Sequence, residues 1–163
     1  MAAAGVFCAL PAAAGPLWTV ASLDQRLLAA HNTERARLGV PPLKWSSELA
    51  DHAARYAEFL TRLPRLRHDP SIDVEGENLW RGTRAAYTPE DMVGLWIDER
   101  RAFKNAPIPD ASITGDFEDV GHYTQVIWRS TTEVGCAVRA TRDDEILVCR
   151  YMEGGNVIGE RAL

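Results

Sequence analysis

A chain of 163 residues, 46% apolar and 25% charged, is long enough for one domain with a real core and needs no second. Its formal charge of −5, with no basic run beyond the loose group Arg62, Arg65 and Arg67, argues against a nucleic acid as partner.

From Met1 to Leu23 no side chain is charged, and the small apolar run Ala2–Leu10 leads through Pro11 to three alanines before Gly15. Residues 1–14 are therefore expected to be a secretory leader, although its first residues lack Lys or Arg. Pro11 and Pro16 interrupt a stretch barely long enough to span a bilayer, so no membrane span is expected in the mature chain. The single domain is expected over residues 22–160.

Ser22-Leu23-Asp24-Gln25 has the spacing of a capping box, and Leu23, Leu27, Ala30, Glu34 and Leu38 follow at helical intervals until Gly39 and Pro41-Pro42. A second helix is expected to open at Trp45-Ser46-Ser47-Glu48, with Leu49, Ala53, Tyr56, Ala57 and Leu60 along one face and Pro64 as its stop. His52 sits beside that stripe as a rim residue. A third begins at Thr88-Pro89-Glu90-Asp91, where a capping Thr, a Pro at the first helical position and two acids suit a helix N-terminus. Met92, Trp96, Glu99 and Phe103 fall on one side of it, which sets a carboxylate in an apolar stripe. Burying that charge alone is costly, so Glu99 demands a cation, a donor or a metal-linked partner.

Lys104 to Val120 shows no sustained period and reads as a loop delivering the chain to Gly121-His122-Tyr123-Thr124-Gln125-Val126-Ile127-Trp128. This octapeptide alternates as a strand would, with large groups on both faces, and is expected to be a covered strand with His122 at its mouth. Val134–Ala140 and Glu145–Tyr151 read as two strands about a turn at Thr141-Arg142-Asp143-Asp144. Symmetric pairing about that turn sets Cys136 opposite Cys149, close enough for a disulfide, the alternative being two reduced thiols in a core. If Cys8 leaves with the leader, an even pair remains, as an oxidising compartment favours. Gly154-Gly155-Asn156 makes a tight terminal turn.

Gly76-Glu77-Asn78-Leu79-Trp80, the octapeptide 121–128, Cys149-Arg150-Tyr151 through Gly155-Asn156, and Ala30-His31-Asn32 through Arg35 with Leu43 and Trp45 together resemble the CAP superfamily. Its members include cysteine-rich secretory proteins, wasp venom allergens and plant pathogenesis-related proteins. The resemblance runs from about residue 22 to 160. It departs at Glu153, where a proline or small residue is usual, and in having a single cysteine pair, which suggests a minimal domain. The resemblance implies an α+β fold, a three-layer α-β-α sandwich with a mostly antiparallel central sheet, and a secreted protein with an open cleft. By motif position the cleft carries His68, Glu77, Glu99 and His122. His31 matches the first helix of the family and is read as structural.

Three functions are compatible with such a tetrad. His68 and His122 could hold Zn²⁺ or another divalent cation, with Glu77 and Glu99 orienting them, in a cleft that, as the resemblance implies, binds a lipid, a sterol or an extracellular protein. The Ile108, Ile113 and Phe117 region is where an apolar ligand is expected. Alternatively, a glutamate acting as general base on water would make the catalytic tetrad of a metal-assisted, peptidase-like hydrolase. In the third case the His/Glu pairs only fasten helix to sheet.

Overall fold

A computed structural model describes residues 21–163; the expected leader and Cys8 lie outside them. Along the chain come α1 (Leu23–Arg37), β1 (Lys44–Trp45), α2 (Ser47–Leu60), β2 (Gly76–Thr83), α3 (Pro89–Asp98), two 3₁₀ turns (Glu99–Arg101 and Phe117–Asp119), α4 (Gly121–Ile127), β3 (Glu133–Ala140) and β4 (Asp144–Met152). The four strands form one sheet in the order β1-β3-β4-β2. β3/β4 and β4/β2 are antiparallel and the short β1/β3 pair is parallel, so the sheet is mixed.

The sheet separates two apolar layers. On one face Ala53, Tyr56, Ala57 and Leu60 of α2 pack on Leu79, Ala137, Ile146 and Val148. On the other, Leu27 of α1, Met92, Val93 and Trp96 of α3, and Tyr123, Val126 and Ile127 of α4 meet Trp80, Val134, Leu147 and Tyr151. Strand alternation explains the division, because Leu79 and Trp80, or Leu147 and Val148, point to opposite faces. The result is the expected three-layer α-β-α sandwich. Gly135 lets α2 lie against the backbone of β3: a Cβ there would stand 2.2 Å from Ala50 N and 2.5 Å from Ser46 O.

The caps read from sequence are present on α1 and α3, Ser22 with Gln25 and Thr88 with Asp91. α2 is capped by Ser46 and starts at Ser47; Trp45, expected within the segment that opens the helix, instead belongs with Lys44 to β1, which pairs with β3. Residue 136 faces 149 in the β3/β4 register, and Cys136 and Cys149 are joined by a disulfide. Among the described residues no helix is long and apolar enough to cross a membrane.

The octapeptide is the main correction. Gly121–Ile127 is the helix α4, not a strand, with Tyr123 to Ile127 all buried. A helix buried all round has no polar face, so its 3.6-residue period is invisible and chance alternation reads as a strand. Its ends are satisfied from far away in sequence. Val120 offers no side-chain cap, and Glu99 instead accepts the N–H groups of His122 and Tyr123, at 3.0 Å each. At the other end the buried Arg35 donates to Val126 O at 3.0 Å, Trp128 O at 2.9 Å and Thr131 O at 2.9 Å. An anion at the N-terminus and a cation at the C-terminus both suit the helix dipole.

Candidate functional site

α3 ends at Asp98, and the tight turn that follows directs Glu99 at α4. Its Oε1 lies 2.6 Å from His122 Nδ1, while Oε2 takes the two backbone N–H groups. Facing a carboxylate, Nδ1 must carry the proton. The His122 ring is also stacked on Trp96, with centroids 5.9 Å apart and planes within 10°. The partner that the sequence demanded for Glu99 is thus His122 and the start of its helix.

Glu77 stands near the start of the edge strand β2, its side chain only 1% exposed. Oε1 accepts from His68 Nδ1 at 2.7 Å and from Asp69 N at 3.1 Å. Oε2 faces Arg150 Nε at 3.0 Å, an ion-pair distance at an angle too poor for a hydrogen bond. His68 lies in the segment after α2 and is largely exposed. The two histidines therefore repeat one arrangement, with Nδ1 held by a glutamate and Nε2 without a hydrogen-bond partner among the described residues.

His68, Glu77 and His122 line one cavity of about 360 Å³, together with Asn78, Phe117, Glu118, Gly121 and Asn156. Glu99 is not among its lining residues; it supports His122 from outside the wall. Gln125 and Asn156 fasten α4 to the terminal turn: Gly155 N donates to Gln125 Oε1 at 2.8 Å, and Asn156 Nδ2 to Gly121 O at 2.8 Å. A Cβ at Gly155 would meet the Trp128 ring at 2.7 Å, so a glycine is what lets the turn pack this closely on Trp128.

Two buried networks support this wall. Asn78 donates to His122 O at 3.0 Å and to Tyr151 Oη at 3.3 Å, and Tyr151 in turn donates to His31 Nε2 at 2.8 Å. His31 Nδ1 donates to Leu27 O at 2.8 Å, which fixes the neutral tautomer. Burial, with the nearby Arg35 charge and against the Leu27 bond, lowers the His31 pKa to about 4. His31 is structural, as the sequence implied. Behind Tyr123, Glu34 accepts from its hydroxyl at 2.9 Å and from Arg37 at 2.6 Å. Burial raises the Glu34 pKa, but the Arg37 and Tyr123 hydrogen bonds and the Arg37 and Arg100 charges outweigh it and hold the carboxyl below its usual range.

The apolar residues expected around the cleft do not form one pocket. Ile108 is buried in the core, Ile113 is exposed, and Phe117 alone lines the cavity. His52, expected at a rim, is paired with Glu75 in a separate cavity of about 410 Å³ that Tyr56, Asp69 and Arg150 also line. Sequence reasoning missed this pair, and it missed Arg150. The available signal was the one used for Glu99, a lone charge inside an apolar run, here Ile146 to Tyr151.

Toward a divalent ion the donor set fits in part. The imidazoles present bare, carboxylate-oriented nitrogens, the usual support of a metal-binding histidine. Among the described residues, however, no three His, Cys, Asp or Glu side chains are grouped as an ion would need. Any ion would rest on His68 and His122, with water or ligand completing its shell.

The family model described as CAP, cysteine-rich secretory protein family, matches residues 28–151. Pathogenesis-related protein 1B of Nicotiana tabacum is 37% identical over 138 residues, covering 84% of this chain and 79% of that protein. The protein Repressed by EFG1 protein 1 of Candida albicans is 39% identical over 137 residues, covering 83% of this chain and 47% of its own length. Among solved structures, the crystal structure of NaASP2 with Zn²⁺ aligns with a TM-score of 0.73 at 21% identity, covering 90% of this chain and 88% of that one.

Proposed function

Because the chain belongs to the CAP, or cysteine-rich secretory protein, family, we propose that it is an exported binding protein whose cleft engages its ligand through His68 and His122. The observation that carries this reading is the repeated pair geometry: each Nδ1 is held by a glutamate, which leaves each Nε2 open. Zn²⁺ or a similar divalent cation, if held by His68 and His122, would supply a Lewis-acidic anchor for the polar end of a lipid, a sterol or an extracellular protein. With Phe117 as its only large apolar lining residue among the described residues, the cavity favours entry of the polar end. The Cys136–Cys149 bridge suits an oxidising, extracellular setting.

The commitments of the two carboxylates favour binding over hydrolysis. Both oxygens of Glu99 already accept hydrogen bonds, and Glu77 is engaged by His68, Asp69 and Arg150. Neither is a free base poised over water.

The test is calorimetric titration of Zn²⁺ into metal-stripped protein beginning near Gly15, compared with His68→Ala and His122→Ala. One-to-one binding lost in both variants is expected. A folded wild type that binds no zinc would overturn the metal-bridged cleft and leave the His/Glu pairs as fasteners of helix and loop.

A further inference from the structure

Arg150 sits opposite Glu77 in the β4/β2 register, with its side chain 3% exposed and its guanidinium over the Tyr56 ring, 5.3 Å from the centroid. Each of its nitrogens addresses a different carboxylate: Nε lies 3.0 Å from Glu77 Oε2, Nη1 3.0 Å from Glu75 Oε2, and Nη2 2.7 Å from Asp69 Oδ2. Two of these carboxylates hold an imidazole by their other oxygen, Glu77 that of His68 and Glu75 that of His52. A single buried cation thus stands behind both imidazole–carboxylate pairs on this side of the sheet.

We propose that Arg150 is the positioning residue of the cleft: by anchoring Glu77 it fixes His68 as the Nδ1–H tautomer and so keeps Nε2 available to a ligand. The inference rests on the proposed binding role of His68 and names the group that enforces it. Free histidine in water prefers the opposite tautomer, with the proton on Nε2 and no lone pair there to offer. His68 is 65% exposed, so water competes for its ring, and only a carboxylate held in place can keep the proton on Nδ1. Glu77 is nearly fully buried and has one oxygen without a hydrogen bond, facing Arg150 Nε. The Asp69 N–H holds Oε1 at 3.1 Å, and the Coulomb attraction of the guanidinium, which also pairs with the Asp69 carboxylate, fixes Oε2, so the two together keep Oε1 aimed at His68. Lysine could not replace it, since one ammonium point charge cannot address three carboxylates in separate directions.

The test reads tautomers in metal-free protein by long-range ¹H–¹⁵N correlation at a pH where the imidazoles are neutral. Wild type is expected to show His68 protonated on Nδ1, Arg150→Met to make the Nε2–H form the major one, and Arg150→Lys to give a mixture. A folded Arg150→Met protein with His68 still on Nδ1 would overturn the proposal. Should Arg150→Met fail to fold, the reciprocal reading decides. His68→Ala truncates an exposed side chain, and it is expected to shift the Arg150 Nε–H resonance because the two share Glu77; an unmoved resonance overturns the proposal equally. Both readouts are free of metal, so they stand apart from the outcome of the zinc titration.

Discussion

Glu99 serves His122 twice, holding the ring through Nδ1 at 2.6 Å and the backbone of its helix through the His122 N–H at 3.0 Å. One carboxylate therefore sets both the aim of the imidazole and the start of the helix that carries it. Glu99→Gln keeps the shape but offers one acceptor oxygen and one NH₂: with the oxygen on the two backbone N–H groups, the NH₂ faces His122 Nδ1, and the ring must move its proton to Nε2 to accept it, which removes the lone pair a metal needs. Replacing a charged acceptor with a neutral one costs on the order of 2 kcal/mol. Loss of a carboxylate behind a metal-binding histidine typically costs ~10–100-fold in metal affinity. Urea unfolding and zinc calorimetry on the same variant check both figures. A stability loss with unchanged zinc binding would reduce Glu99 to a cap of α4.

The legibility of this chain follows where its interactions are made. Elements stabilised within a few residues were readable: the Ser22 box and the Thr88 cap with Pro89 placed α1 and α3, and the turn at Thr141–Asp144 gave the β3/β4 register and the opposition of Cys136 and Cys149. α4 was not, because its caps are Glu99 and Arg35, 22 and 86 positions from Gly121 in the numbering, and its period is hidden by burial on every side. Glu99 was found by a contradiction between its charge and its stripe. The placing of His68 and Glu77 in one cleft came from motif position alone, since a loop histidine carries no period, and their pairing, like the Arg150 hub, needed tertiary coordinates.

Gly135→Ala is expected to be among the most damaging single-methyl changes in the sheet. The new Cβ would fall 2.2 Å from Ala50 N and 2.5 Å from Ser46 O, both backbone atoms of the α2 N-terminal region, which cannot swing aside as a side chain could. Relief requires lifting α2 off β3, opening the layer formed by Ala53, Ala57 and Leu60. Overpacking of this kind costs about 1–3 kcal/mol, and backbone clash places this case at the upper end. Thermal unfolding followed by circular dichroism checks it; a melting temperature within a degree of wild type would show that α2 is not seated as described.

The disulfide closes a loop with a sequence separation of 13. A loop of that length restricts the unfolded chain by about 3 kcal/mol at room temperature in the chain-entropy account. Cys136→Ala with Cys149→Ala should therefore lower the denaturant midpoint without moving the β3/β4 register, which fourteen other paired positions of the two strands already define. Comparing urea midpoints of the double variant and of reduced wild type separates loss of the cross-link from loss of buried sulfur. Equal midpoints in the oxidised, reduced and double-alanine proteins would remove the bridge from the stability account.

His31 gives the fold a defined acid response. It is fully buried, its Nε2 is the acceptor of the Tyr151 hydroxyl, and burial lowers its pKa from 6.5 to about 4. The unfolded chain takes up a proton at this residue below about pH 6.5, whereas the folded chain resists until about pH 4. Below the unfolded value the unfolded state thus binds more protons, so stability is intact above pH 6.5 and falls as the pH drops toward 4. Over that window the loss approaches about 3 kcal/mol. Glu34 and Asp69, both held below their usual carboxylate values, act in the same direction but at lower pH, since their stabilisation is lost only on approach to their own lowered values. His31→Gln removes the titrating group: it should be less stable than wild type at pH 7 and much flatter between pH 6.5 and 4. Urea midpoints measured across that range in both proteins check the slope, and parallel curves would show that the acid response originates elsewhere. Because Tyr151 also receives Asn78, which holds the His122 carbonyl, protonation of His31 would reach the wall of the cleft through that chain of hydrogen bonds.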